Sequence, residues 1–166
     1  MNVRYDKVVV YILRRSEDGR DWEILQMLRR QDVYLGGTWQ FCSGGIEPGE
    51  TAAQAAVREL REETGLSPRQ LTFLSHVESF PVPQDTVWHR TGFCAVVDRG
   101  DAVQLSEEHT AFRWIRRRDI SACVMWPGEK AALAEICREH LGASLSRAYR
   151  LLDPYHLPNP TPPPPS

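Results

Sequence analysis

"GGIEPGETAAQAAVRELREETGL", residues Gly44 to Leu66, decides how the rest of the chain is read. From Thr51 to Thr64 it holds neither Gly nor Pro and is rich in Ala, Gln, Arg, Glu and Leu. These are good helix formers, so the segment predicts a helix, with Gly65 placed to end it in a left-handed turn. At about 100° per residue, Ala53, Ala56, Val57, Leu60 and Thr64 form the stripe that packs on a sheet, and Glu59, Glu62 and Glu63 cluster beside that stripe. Three carboxylates are poorly placed there. The C-terminal end of a helix is the negative end of its dipole, which costs each acid about 0.3–1 kcal/mol. Two carboxylates about 6 Å apart also repel by roughly 3 kcal/mol at an effective dielectric near 20.

Arg58 and Arg61 offset part of this repulsion, and a solvated helix face with mixed charges fits the cluster taken alone. A bound cation fits it too: hard oxygen donors without His or Cys suit Mg²⁺ or Mn²⁺. The loop just before the helix, "SGGIEPGE", adds glycines that permit positive φ and close backbone approach, and it delivers Glu50 directly ahead of the helix. Loop, Glu50, helix and acidic face at these spacings together favour the metal site.

Upstream, Tyr5 to Arg14 and "EILQMLRR" are apolar, β-prone runs separated by the polar turn "SEDGRDW", which predicts a β-hairpin. A third strand is expected over Trp39 to Ser43. Downstream, Leu71 to Phe80 and Trp88 to Val97 predict two more strands joined by a functional loop at "PVPQDT", and "HTAFRWI" a further short one. "PGEKAALAEICREHLG" carries Pro127 near its start and Gly142 past its end, the punctuation of a second helix. Strands and helices mixed without regular βαβ alternation predict an α+β sandwich with a mixed sheet.

With 166 residues, 42% apolar and 25% charged, the chain has room for one globular domain, expected over residues 1–153. The proline-rich tail, 154–166, is expected to be extended or disordered. The net charge of −2 gives no strong field for steering polyanions, so no nucleic-acid duplex binding is expected and phosphates must be held locally. Cys42, Cys94, Cys123 and Cys137 are scattered without a CxxC pair, which fits a reduced, cytoplasmic setting. "KVVVYIL" is too short to span a membrane.

Gly44, Glu50, Arg58, Glu59, Leu60, Glu62, Glu63, Gly65 and Leu66 match every fixed position of the Nudix box, and the chain resembles the Nudix hydrolases more loosely over about residues 5 to 142. The resemblance implies an α/β/α sandwich, a mixed β-sheet between helices, that cleaves a nucleoside diphosphate linked to another group with Mg²⁺, Mn²⁺ substituting. It implies that Glu59, Glu62, Glu63 and the carbonyls near Ser43 and Gly44 hold metal, that Arg58 orients Glu59, and that Glu50 supports the loop or the outer coordination shell. A further carboxylate is expected at Glu108, with Glu107 as the fallback, and the base at Glu59 or Glu108. His109 is expected in the loop or the shell behind the ligands.

For the substrate side, Arg30 is placed to reach a phosphate, with a surface salt bridge as the alternative. Trp39 is expected in the core or by the base pocket, and Phe80, Trp88 and Trp126 are candidates to stack on a base. "WQ" before the glycines and "EEHTAFRW" resemble the dATP pyrophosphohydrolase or dihydroneopterin triphosphate diphosphatase branch, so a dATP-like nucleoside or a pterin triphosphate is the expected substrate. "CSGG" departs from the Pro-Gly-Gly of the 8-oxo-dGTP and dinucleoside polyphosphate branches. Dinucleoside polyphosphates of the Ap4A type are the first rival, then ADP-ribose and nucleotide sugars. A non-catalytic nucleotide-binding regulator is the rival of another class. A monomer or homodimer is expected.

Overall fold

The computed structural model describes residues 1–82 and 85–141, without the side chains of Phe80 and Pro81; the proline-rich tail and Gly142 lie outside the described residues. The central strand is β1 (Asn2–Arg15), whose run Val8 to Leu13 is buried throughout. A strand covered on both faces has no polar alternation, so this run reads as continuous apolar sequence. β1 pairs antiparallel with β2 (Trp22–Arg29) and with β4 (Cys42–Gly45), and parallel with β6 (Thr86–Val96). Beyond β6 lies β5 (Gln70–Val82), antiparallel to it; β3 (Trp39–Gln40) and β7 (His109–Arg116) both pair antiparallel with β2.

Successive residues of β1 feed two cores. Val8, Val10 and Ile12 pack with Ala53, Ala56 and Leu60 of α1 (Ala52–Thr64). Val9, Tyr11 and Leu13 pack with Ala132 and Leu133 of α2 (Pro127–Glu135), and with Ile136 in the single π-helical turn that follows it. The expected mixed sheet between helices is therefore present. α1 begins as its sequence predicts, with Thr51 and Gln54 forming a reciprocal capping box, and ends on Gly65 at φ 70°.

Three expectations change. The third strand is split at the buried Phe41, because the chain leaves β2, where β3 pairs, for β1, where β4 pairs. The ends of the loop expected at Pro81 to Thr86 are strand, with Pro81 opposite Val87 and Val82 opposite Thr86, and its residues 83–84 lie outside the described residues. On α1 the buried set also includes Ala55 and Glu63, so one of the three acids points inward.

Candidate active site

β4 and the last turns of α1 meet where Gly44, paired with Val8, passes Glu59. A Cβ at position 44 would lie 1.8 Å from the Glu59 carboxyl carbon, so only glycine leaves that carboxylate where it stands. Arg58 ties the loop to the helix. Its Nε donates to Glu50 Oε1 at 3.0 Å, Nη2 to Glu50 Oε2 at 2.9 Å and to the Gly45 carbonyl at 2.7 Å. Its Nη1 donates to Glu59 at 2.8 Å and to Glu62 at 3.2 Å. These bonds raise the arginine above its ordinary range, and its guanidinium in turn holds the Glu50 carboxyl below the usual value. Glu50 also accepts the Glu47 backbone N–H at 3.0 Å, so it props the loop.

The acids differ sharply in setting. Glu62 is 58% exposed and bonded to Arg58. Glu63 is 7% exposed, and burial, reinforced by repulsion from Glu59 and Glu108 against a hydrogen bond from Cys42, pushes its carboxyl up to about 8. The buried Cys42 thiol is pushed up in turn by its own burial and by Glu63. Glu63 Oε2 is buried without a hydrogen-bond partner. A buried acceptor with nothing to accept costs about 1–3 kcal/mol, which a ligand would relieve.

Glu59, Glu63 and Glu108 line a cavity of about 400 Å³ together with the basic and aromatic Lys7, Trp88, Arg90 and Trp126. Arg29 joins them, its Nη1 3.6 Å from Glu108. A hollow of about 500 Å³ at the β1–β2 turn, among Ser16, Asp18, Arg99 and Arg118, holds none of the expected site residues. Among the described residues no three His, Cys, Asp or Glu side chains already stand close enough together to hold a metal. The donor chemistry nevertheless fits a hard divalent cation: three carboxylates on one cavity, one with an unsatisfied oxygen, beside a glycine that leaves room. As they stand, two of the three box acids serve Arg58 instead.

The NUDIX domain family model matches residues 5–136. The chain belongs to the Nudix family. It is 28% identical over 133 residues to the 8-oxo-dGTP diphosphatase of Escherichia coli K12, covering 80% of this chain and 96% of that protein. Over 103 residues it is 29% identical to the asymmetrical bis(5'-nucleosyl)-tetraphosphatase of Mus musculus, covering 58% of this chain and 68% of the relative. It is 40% identical over 101 residues, 58% of this chain, to an octanoyltransferase of Myxococcus xanthus, but spans only 28% of that protein's length. Among solved structures, the binary complex of a C. elegans Ap4A hydrolase superposes with a TM-score of 0.67 at 24% identity, covering 81% of this chain and 96% of that one. The Nudix domain is a hydrolase domain acting on phosphoric anhydride bonds, and Nudix enzymes generally use divalent metal ions. No described helix is long and apolar enough to cross a membrane.

Within this Nudix domain the expected residues are only partly gathered. Glu59, Glu63, Ser43, Gly44, Glu108 and Trp88 line the cavity, as does Trp126; Glu62 does not. Arg30 does not line it either: its Nε is held by Asp32 at 2.5 Å and its Nη1 by the Glu107 carbonyl at 3.1 Å. It is Arg29, the last residue of β2, that turns inward, while Arg30 lies just past the strand. Trp39 lies outside the cavity, half-buried under the Arg113 guanidinium at 4.2 Å, while Gln40 takes the lining position. The Phe80 side chain lies outside what is described. His109 is buried on β7 and lowered by that burial. Sequence reasoning missed Lys7, Arg29, Gln40 and Arg90; only the doubled arginine at the end of the second strand signalled any of them.

Proposed function

We propose that this chain is a Mg²⁺-dependent Nudix pyrophosphohydrolase that splits a nucleoside or pterin triphosphate into the monophosphate and pyrophosphate. The observation that carries the reading is the single cavity lined by the carboxylates Glu59, Glu63 and Glu108 and by the cations Lys7 and Arg29. A pyrophosphate linkage is polyanionic and needs cations on both sides, whereas the chain as a whole carries a charge of only −2.

Glu59, Glu62 and Glu63, with the carbonyls of Ser43 and Gly44, hold Mg²⁺, and Mn²⁺ substitutes. Bound there, such an ion would supply neutralisation of phosphoryl oxygens and acidification of a water, and Glu63, since a ligating carboxylate must be ionised, would hold it in the deprotonated form. Arg58 aims Glu59, and Glu50 holds Arg58. Glu108, exposed on the cavity rim, accepts the proton of the attacking water, with Glu59 as the alternative base. Arg29 and Lys7 take phosphate oxygens. The four free cysteines support a cytoplasmic setting.

A second reading, hydrolysis of dinucleoside polyphosphates, is favoured by the 29% identity to the mouse tetraphosphatase. The test is a hydrolysis panel with Mg²⁺ in which pyrophosphate and inorganic phosphate are quantified separately. Its members are dATP, dGTP, dihydroneopterin triphosphate, diadenosine tetraphosphate and ADP-ribose. Pyrophosphate release from a triphosphate is expected. Turnover of diadenosine tetraphosphate alone selects the second reading, and silence across the panel selects a nucleotide-binding regulator.

A further inference from the structure

The basic and aromatic part of the cavity lining is as firmly held as the carboxylates, yet the hydrolytic chemistry uses little of it. Lys7 stands opposite Gly45 on one side and opposite Arg90 on the other; Arg90 stands opposite Glu78. The four form one row across β4, β1, β6 and β5, which puts Arg90 about 10 Å, two strand spacings, from Gly45. Trp88, two residues before Arg90, shares its face of β6.

Arg90 is 8% exposed and lines the cavity. Its Nη2 donates to Glu78, whose other carboxylate oxygen accepts the hydroxyl of the fully buried Tyr11. Gly128, at the start of α2, closes over Glu78; a Cβ there would lie 3.3 Å from Glu78 Cγ. One residue on, the buried Glu129 accepts the backbone N–H groups of Met125 and Trp126, each at 3.2 Å, and so fixes where Trp126 meets the cavity. Burial pushes both the Tyr11 hydroxyl and the Glu129 carboxyl above their ordinary ranges.

We propose that Arg90, held by Glu78 and Tyr11, is the residue that selects the substrate's heterocycle, and that it selects a ring presenting a carbonyl and a ring nitrogen as acceptors, such as a 6-oxopurine or a pterin, over adenine. This inference rests on the triphosphatase reading above and narrows it. Three features carry it. A guanidinium offers donors only, in a fixed fork that matches the O6/N7 edge of guanine, whereas adenine presents an amino donor at the same place. Arg90 is paired with Glu78, which offsets its charge, so this part of the lining suits a neutral ring better than a phosphate. Trp88 and Trp126 supply flat apolar surface beside it, Trp88 with the Lys7 ammonium 5.1 Å from its ring centroid.

The experiment is equilibrium binding by calorimetry of GMP, IMP and AMP to the full chain at fixed Mg²⁺, followed by kcat/KM for dGTP, dITP and dATP. GMP and IMP are expected to bind roughly ten-fold or more tighter than AMP. IMP lacks the 2-amino group of GMP, so equal binding of the two identifies O6/N7 as the edge that is read. Arg90→Lys keeps the charge but loses the fork, and should collapse the ratio toward one by weakening GMP and IMP alone. The double variant Glu78→Gln/Arg90→Gln, which leaves no unpaired buried charge, should do the same. Equal affinity for GMP and AMP in the unaltered chain overturns the inference, as does undiminished discrimination in Arg90→Lys. If GMP and IMP are preferred but no triphosphate is hydrolysed, the triphosphatase reading falls and the subsite stands.

Discussion

Replacing Glu63 with Gln should stabilise the metal-free protein at neutral pH while abolishing its dependence on divalent metal. The buried carboxyl titrates near 8 in the folded chain against 4.5 when exposed. The folded state therefore binds more protons than the unfolded state between these values, and stability falls as pH rises from about 4.5 to about 8. At pH 7 the loss accumulated through this one group is about 3 kcal/mol, rising to between 4 and 5 kcal/mol above pH 8. A glutamine of nearly the same shape carries no charge to desolvate and escapes that loss. Urea and thermal unfolding in EDTA, from pH 4 to pH 8.5, should give matching stabilities for the two proteins at pH 4. They should diverge steadily above pH 5, reaching a difference of roughly 6–12 °C in Tm at pH 7. Mg²⁺ should then close the gap by stabilising the unaltered protein alone, since ligand bound only to the folded state adds its binding free energy. A difference independent of pH, or a less stable variant at pH 8, would refute the claim that Glu63 is buried at a cost that a cation relieves.

Arg58→Ala removes bonds to Glu50, Glu59, Glu62 and the Gly45 carbonyl; it should cost about 2 kcal/mol of stability in urea and on the order of 100-fold in hydrolysis. Gly44→Ala should push the Glu59 carboxylate aside and lower kcat on the order of 100-fold, with Tm moving only a few degrees because the displaced group ends a flexible side chain. Arg29→Ala should raise KM about ten-fold in steady-state assays, against a change within about two-fold for Arg30→Ala. Glu62→Gln should abolish Mg²⁺-dependent turnover; undiminished turnover would remove Glu62 from the metal site.

What was legible in the sequence is what is local. α1 announces itself through propensity, a capping box and a terminal glycine, and the spacing of Gly44, Glu50 and the acids lies within one loop and one helix. The inward turn of Glu63 and the outward turn of Glu62 are not local, because they depend on where β4 runs beneath the helix. Arg29 and Arg30 look interchangeable in sequence; the end of β2 at Arg29, just after a register shift between Leu28 and Arg29, separates them. Arg90 and Glu78 look like ordinary solvent-facing charges on alternating strands, and only α2 closing over them buries the pair. Lys7 comes next to Arg90 through a parallel pairing that no short-range pattern encodes.

That parallel pairing also governs when the site comes into being. β1 meets β6 across partners more than 80 residues apart, Leu13 opposite Val96 among them. Closing so long a stretch of chain is slow compared with winding a helix, since its entropy must be lost before the contacts repay it. A peptide covering Thr51 to Leu66 therefore carries most of the box acids but cannot form the cavity by itself. During refolding, helical signal should return early and hydrolysis late, with the first recovered turnover marking the moment the two distant strands lock together.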